Sequence, residues 1–151
     1  MGESPAMTTL PNSGDFNRGL DLFNRAHFFD AHEVLEDVWR ALDRDGPREE
    51  PSRLRLHAQG MVQLAVAFHH VSTGNHVGAR SVLERAMRNL DGADSSFPDL
   101  DLGRLRAELA PWQRFLDDSE GARTKKGEKK LDGQDAPLHP TPDLPRIVRR
   151  R

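Results

Sequence analysis

The sequence predicts an all-α protein, a compact bundle of about five helices built from two helical hairpins and a closing helix. Apolar residues recur at steps of three and four in five successive segments, which is the spacing of one helical face. No segment alternates strictly between apolar and polar residues as a half-buried strand does. Glycine or proline stands at most boundaries between the segments. The 151 residues are enough for one domain of ordinary size.

The first hairpin comprises helices one and two. Helix one is predicted over residues 16–26, after Asp15 as its N-cap. Its apolar face is formed by Phe16, Leu20, Phe23 and Ala26 or His27. Helix two is predicted to begin at an Asp30 cap, with Glu33 in the capping-box position, and to end near Gly46. Its core face is formed by Ala31, Leu35, Val38 and Leu42.

The second hairpin comprises helices three and four. Helix three is predicted over residues 51–73, with Pro51 in its first turn, and residues 58–68 are apolar on nearly all sides. Such a helix is surrounded by others, so it should lie at the centre. Gly74 is predicted to end it and Asn75 to cap helix four. The core face of helix four is formed by Ala79, Val82, Leu83, Ala86, Met87 and Leu90.

Helix five closes the bundle. Its apolar residues are Leu102, Leu105, Leu109, Trp112 and Leu116. Pro111 is expected to kink or split it, because proline has no N–H to donate and its ring crowds the preceding turn.

An internal repeat relates the two hairpins. The pattern A-x-x-V-L-E-x-x-x-R-x-L occurs at residues 31–42 and again at 79–90, an offset of 48. The turn before each occurrence is also similar. The chain therefore reads as two equivalent helical hairpins.

Composition divides the chain into three predicted parts: a flexible N-terminal segment of residues 1–15, a helical bundle of 16–118, and a disordered basic C-terminal tail of 119–151. Residues 1–119 contain 13 Lys and Arg against 19 Asp and Glu, whereas residues 120–151 contain 9 against 5. Such a basic tail can bind nucleic acid, but without interleaved aromatic residues it is more typical of a solvated tail. No stretch is apolar enough to span a membrane and no secretory signal is evident, so a cytoplasmic protein is expected.

Polar residues at helical spacing indicate a candidate site between helices two and three. Polar side chains on a nearly apolar helix need hydrogen-bond partners, since each one buried alone costs about 1–3 kcal/mol. The facing edge of helix two supplies His32 and Glu36. The predicted cluster comprises His32, Glu36, Gln59, Gln63 and His70, with Trp39 as an apolar wall.

Three interpretations of this cluster stay open. It is a structural hydrogen-bond network that fixes the register of the helices, or it is a divalent-metal site of His32, Glu36 and His70. The third is a small-ligand pocket with Glu36 or His70 as general base. The corresponding functions are a binding or scaffold domain and, as the alternative, a metal-dependent or general-base enzyme of hydrolase type. No glycine-rich phosphate loop or dinucleotide fingerprint is present.

The run of residues 22–40, with A-H-E-x-x-E-x-x-W at 31–39, resembles the family called domain of unknown function 309. Residues 59–63 and the residues from His70 to Ala79 agree with it. The resemblance implies a small all-helical domain with no assigned activity. It also implies that the family's motif positions are His32, Glu33, Glu36, Trp39, Gln59, Gln63, His70 and Asn75, as ligand-binding candidates. Ala26 departs from the pattern, which favours glycine there.

Overall fold

The computed structural model describes residues 13–45, 53–124 and 141–150. The predicted all-α class is confirmed, since these residues contain no strand and their one isolated β-bridge joins Leu100 to Arg149. The helices are α1 (Ser13–Asn24), α2 (Phe28–Asp45), α3 (Arg53–Ser72), α4 (His76–Asn89) and α5 (Leu102–Thr124), with a short 3₁₀ turn at Ala93–Ser95. The predicted flexible segment of residues 1–15 lies outside the described residues except for its last three, which begin α1. Pro51 also lies outside them.

The centre of the bundle is α3, as its apolar composition predicts. It packs against α2 on one side and α4 on the other, while α1 packs on α2 and α5 on α4. Leu64, Ala65 and Phe68 of α3 are fully enclosed. The predicted core faces of the flanking helices are also buried at Phe16, Leu20, Phe23, Ala31, Leu35, Val38, Ala79, Leu83, Ala86 and Leu90.

A chain of aromatic rings joins the helices. Phe68 of α3 makes edge-to-face contact with Trp112 of α5, with ring centroids 5.2 Å apart, and with Phe23 of α1 at 6.1 Å. Phe28 of α2 contacts both Phe23 and Phe68. These pairs tie α1, α2, α3 and α5 to one point, and each contributes beyond the apolar area it buries.

Two glycines let the helices of each hairpin approach closely. A Cβ on Gly19 of α1 would lie 2.6 Å from Cδ2 of Leu35 on α2, and one on Gly60 of α3 would lie 2.9 Å from Cγ of Leu90. Both distances are shorter than packed carbon atoms tolerate. Glycine at these two crossings therefore sets the spacing of the helix pairs.

The turns of the two hairpins have the same geometry, residue for residue, at the offset of 48. His27 N–H donates to Leu22 O and Asn75 N–H to His70 O, both at 2.8 Å. Ala26 and Gly74, which the repeat aligns, both have left-handed backbones, with φ of 68° and 82°. The repeat seen in the sequence is thus also a repeat of structure.

The turn geometry corrects the predicted start of the second helix. α2 begins at Phe28, so Asp30 lies in its first turn and is not its cap. The reason is the hydrogen bond of His27 to Leu22, which closes the turn two residues earlier than the pattern of polar residues suggests. Asp30 still favours the helix, because a carboxylate near the N-terminus opposes the helix dipole.

The closing helix is longer than predicted. α5 runs without interruption from Leu102 to Thr124, so Pro111 does not split it. The helix also continues past residue 118, the predicted end of the helical domain. The residues between α4 and α5 belong to the core, because Phe97 is fully buried and stacks on Phe16 at 5.1 Å.

The C-terminal segment, defined as residues 141–150, lies extended against the bundle. Ile147 is 4% exposed, and its main chain is hydrogen-bonded to Asn24 of α1. The prediction of one disordered tail from 119 to 151 does not hold for these ten residues, nor for the part of it that continues α5. Residues 125–140 lie outside the described part of the chain. Within the described part, none of the helices has the length and apolar character needed to cross a bilayer.

Candidate functional site

Three polar side chains follow one another along the edge of α2. His32 Nε2 lies 3.2 Å from Glu36 Oε1, and Arg40 Nη2 donates to Glu36 Oε2 at 2.9 Å. All three are one helical turn apart, the spacing at which side chains on a helix surface meet. His32 and Glu36 are half-buried, with about a quarter of each side chain exposed. The imidazole is therefore held in one orientation by a carboxylate that is itself held by a guanidinium.

An exposed phenylalanine stands beside this row. Phe29 is 49% exposed, and its ring centroid lies 5.7 Å from that of His32 on its own helix and 5.4 Å from that of His69 on α3. The ring centroid of His69 in turn lies 6.3 Å from that of His70. We call Phe29, His32, Glu33, Glu36 and His69 the Phe29 face. Its rings form a ledge across the boundary between α2 and α3.

Trp39 lies farther along the same edge of α2. The guanidinium carbon of Arg55 on α3 lies 4.7 Å from the centre of the indole, a cation–π contact. The indole Nε1 is buried and has no hydrogen-bond partner within the described part of the chain. Trp39 thus joins α2 to α3.

Gln63 of α3 is bonded to α4. Its Oε1 accepts a hydrogen bond of 2.8 Å from Asn89 Nδ2, so this side chain joins α3 to α4. Gln59 is half-buried on the same helix. The hydrogen bond of Gln63 does not place its amide with His32 and Glu36.

His70 and Asn75 form a separate pair at the turn between α3 and α4. Asn75 Nδ2 lies 3.3 Å from His70 Nδ1, and Asn75 Oδ1 accepts from Gly78 N–H at 2.9 Å. The predicted N-cap role of Asn75 is confirmed. A Cβ on Gly78 would lie 2.5 Å from Asn75 Nδ2, so this glycine makes room for the cap.

The structure differs from the prediction of one enclosed polar cluster. It divides the predicted residues into three pairs: His32 with Glu36, Gln63 with Asn89, and His70 with Asn75. In the described ranges no three His, Cys, Asp or Glu side chains are grouped so as to hold a metal ion. His32, Glu36 and His70 therefore do not converge as a metal site. Glu33 is exposed, as its helix angle indicates.

A buried histidine lies outside the predicted cluster. His57 of α3 is 5% exposed, and its Nδ1 lies 2.6 Å from Ser96 Oγ. Burial lowers the pKa of His57 below its usual 6.5, an effect that a hydrogen bond with the Asp91 backbone partly opposes. The helical periodicity of the sequence indicates this burial. In a helix that turns 100° per residue, His57 lies about 140° from Val62, among the core positions of α3.

Comparison with known proteins finds one family over part of the chain. Residues 16–82 match the family described as Domain of unknown function (DUF309). The matched segment covers α1 from Phe16, all of α2 and α3, and the first half of α4, including the Phe29 face and the repeated turns. The resemblance based on A-H-E-x-x-E-x-x-W is confirmed over these residues.

Two curated relatives are themselves uncharacterised. An uncharacterised protein of Aquifex aeolicus (strain VF5) is 26% identical over 87 residues, which are 58% of this chain and 24% of the relative. The uncharacterised protein YpuF of Bacillus subtilis (strain 168) is 31% identical over 80 residues, or 52% of this chain and 42% of the relative. The chain thus spans less than half the length of these relatives. No solved structure matches it.

Proposed function

We propose that the segment of this chain that matches DUF309 is a protein-binding module that docks a partner segment on the Phe29 face. The observation that carries the proposal is Phe29 itself, a large aromatic side chain that is half exposed and flanked by two imidazole rings. Aromatic side chains that bury their apolar surface on association are frequent anchors of protein interfaces. The His32–Glu36–Arg40 row gives this anchor a fixed polar border.

The charge of α2 indicates which partner fits. Over residues 28–42 the helix carries four carboxylates, Asp30, Glu33, Glu36 and Asp37, against the single arginine Arg40. Three of the four carboxylates are exposed. A partner segment with Lys or Arg next to an apolar side chain would meet both the ring and the carboxylates, and opposite charges steer such encounters. The predicted binding or scaffold function is retained in this form, with the ligand site moved from the interior to the surface.

Site-specific photo-crosslinking in cells tests the proposal. Benzoylphenylalanine is placed at position 29 and, as the matched control, at Val77, which is 44% exposed on α4. We expect a discrete crosslinked partner from position 29 and none from position 77. Mass spectrometry of the crosslinked peptide should show Lys or Arg close to the point of attachment.

A charge reversal supplies the second arm. With the photo-reactive residue at position 29, Glu33→Lys should reduce the crosslinked product at least threefold, because a basic partner is then repelled. Equal products at positions 29 and 77, an acidic partner peptide, or a yield unaffected by Glu33→Lys would each overturn the proposal.

A further inference from the structure

The C-terminal segment is bound by the bundle as a peptide is bound in a groove. It crosses the end of α1, the residues that precede α5, and one side of α5. We call the residues that contact it the peptide groove: Asn17, Asn24, Asp99, Asp101, Glu108 and Trp112. Its covalent connection to α5 runs through residues 125–140.

The peptide groove binds the main chain of its occupant. Asn24 donates from Nδ2 to Ile147 O at 2.9 Å and accepts from Ile147 N–H at Oδ1 at 2.8 Å, so one carboxamide satisfies both main-chain groups of one residue. The Asp101 N–H donates to Val148 O, and the Arg150 N–H to Asp99 O, each at 2.8 Å. These two bonds add the segment to the bundle in the manner of an edge strand.

Two further hydrogen bonds of 2.9 Å hold the first half of the segment. Trp112 Nε1 donates to Asp143 O, and Glu108 Oε1 accepts from Arg146 N–H. Trp112 is 1% exposed, so its indole N–H depends on the segment for a partner. A groove without an occupant would leave this donor buried and unpaired, which costs free energy.

Side chains of the segment alternate between the groove and solvent. Pro145 and Ile147 are buried, and Arg149 pairs with Asp99 and Asn17, whereas Leu144 and Arg146 are exposed. This is the period of two that an extended chain has. The side chains that are buried or paired at the groove therefore follow the pattern Pro-x-Ile-x-Arg, and the acidic Asp99 and Glu108 suit a basic occupant.

We propose that the peptide groove is a binding site for an extended partner segment of the pattern Pro-x-Ile-x-Arg, and that residues 143–150 are its resident occupant. A partner of this chemistry displaces the C-terminal segment and takes over its main-chain hydrogen bonds. The competition is concentration-dependent, because an occupant tethered in the same chain acts at an effective concentration on the order of millimolar. The proposal concerns residues other than those of the Phe29 face and does not depend on it.

Hydrogen exchange of the unmodified full chain tests displacement directly. The probe is a synthetic peptide that keeps only Pro, Ile and Arg at their spacings in a Gly/Ser background. At millimolar peptide we expect the amides of Arg146, Ile147 and Arg150 to exchange at least tenfold faster, since each donates to the groove or its rim. Unchanged protection of these amides would overturn the proposal.

Fluorescence anisotropy with the same peptide, carrying a fluorescent label, measures its affinity for the peptide groove once the C-terminal segment is released. Ile147→Asp in the full chain should release the segment and bind the peptide at least tenfold more tightly than the wild type does. Leu144→Asp, at an outward position, is the matched control and should bind like the wild type. Adding Asn24→Ala to Ile147→Asp should weaken binding of the peptide at least tenfold. Equal affinity with and without Asn24 would contradict the proposed role of its carboxamide in binding the main chain of the occupant.

A replacement variant and a measurement of oligomeric state complete the test. If circular dichroism shows that Ile147→Asp does not fold, Arg149→Glu replaces it, because that residue is exposed and its loss removes only the ion pair with Asp99 and the hydrogen bond to Asn17. Light scattering distinguishes a foreign partner from a second copy. A wild-type dimer that Ile147→Asp abolishes would assign the groove to exchanged C-terminal segments and overturn the proposal of a foreign partner.

Discussion

The imidazole of His57 is enclosed where α3 meets the residues that follow α4. Desolvation lowers its pKa below 6.5, and Arg53 adds to this, whereas Asp91 and Asp94 act in the opposite direction. The neutral ring is the form that the folded protein prefers. The unfolded chain therefore binds a proton at a higher pH than the folded chain, and protonation favours unfolding.

We predict that the free energy of unfolding falls as the pH drops below about 6.5, and that His57→Gln removes this part of the dependence. Stability from the neutral ring is complete above the unfolded pKa and is lost as the pH falls toward the lowered folded pKa. The slope from one proton is at most about 1.4 kcal/mol per pH unit. Urea denaturation between pH 7.5 and 5.5 measures it, with His27→Gln as the control for loss of an exposed imidazole. Parallel curves for wild type and His57→Gln would exclude this role.

At the scale of elements, the two hairpins share a turn but differ in one residue of it. Gly74 adopts its left-handed backbone without cost, whereas Ala26 at φ 68° places a Cβ against the following carbonyl. The left-handed backbone at position 26 favours glycine, so alanine is strained there. The turn nonetheless forms, because the hydrogen bonds of Ala26 N–H to Phe23 O and His27 N–H to Leu22 O hold it.

Ala26→Gly should therefore stabilise the protein. Relief of the left-handed strain is worth about 1–2 kcal/mol, of which about 0.5–1 kcal/mol is lost again to the greater freedom of glycine in the unfolded chain. The net gain of about 1 kcal/mol corresponds to a rise of about 2–4 °C in Tm. The reciprocal change Gly74→Ala should lower Tm, and thermal unfolding by circular dichroism measures both. A fall in Tm for Ala26→Gly would contradict the strain argument.

The elements also show what periodicity can and cannot predict. Core faces such as Ala31, Leu35 and Val38 were predicted correctly, because burial of an apolar stripe fixes which side of a helix turns inward. The polar site was not predicted correctly. The angular position of a residue on its helix does not show which neighbouring helix lies on that side. Gln63 and His70 were predicted to face α2, but they contact Asn89 of α4 and Asn75 of the turn.

For the whole molecule, the two ends of the described chain meet. Asn17 and Asn24 of α1 bind residues 147–149, which are more than 120 positions away in sequence. Composition could not predict this contact, because the C-terminal segment offers few large apolar side chains and is held mainly through its main chain. Main-chain hydrogen bonding leaves almost no trace in a sequence, apart here from Ile147, whose side chain is buried.

The contact between α1 and the C-terminal segment should contribute to the free energy of unfolding. Asn24→Ala removes both hydrogen bonds to Ile147, and each net hydrogen bond is worth about 0.5–1.5 kcal/mol. We expect a loss of about 1–3 kcal/mol in urea denaturation, with unfolding still a single transition because α1 and α5 belong to one core. The same change made in the Ile147→Asp background should cost close to nothing, since Asn24 then has no segment to bind. Equal costs in the two backgrounds would mean that Asn24 stabilises α1 itself, and the contact between the chain ends would then add nothing to the stability of the fold.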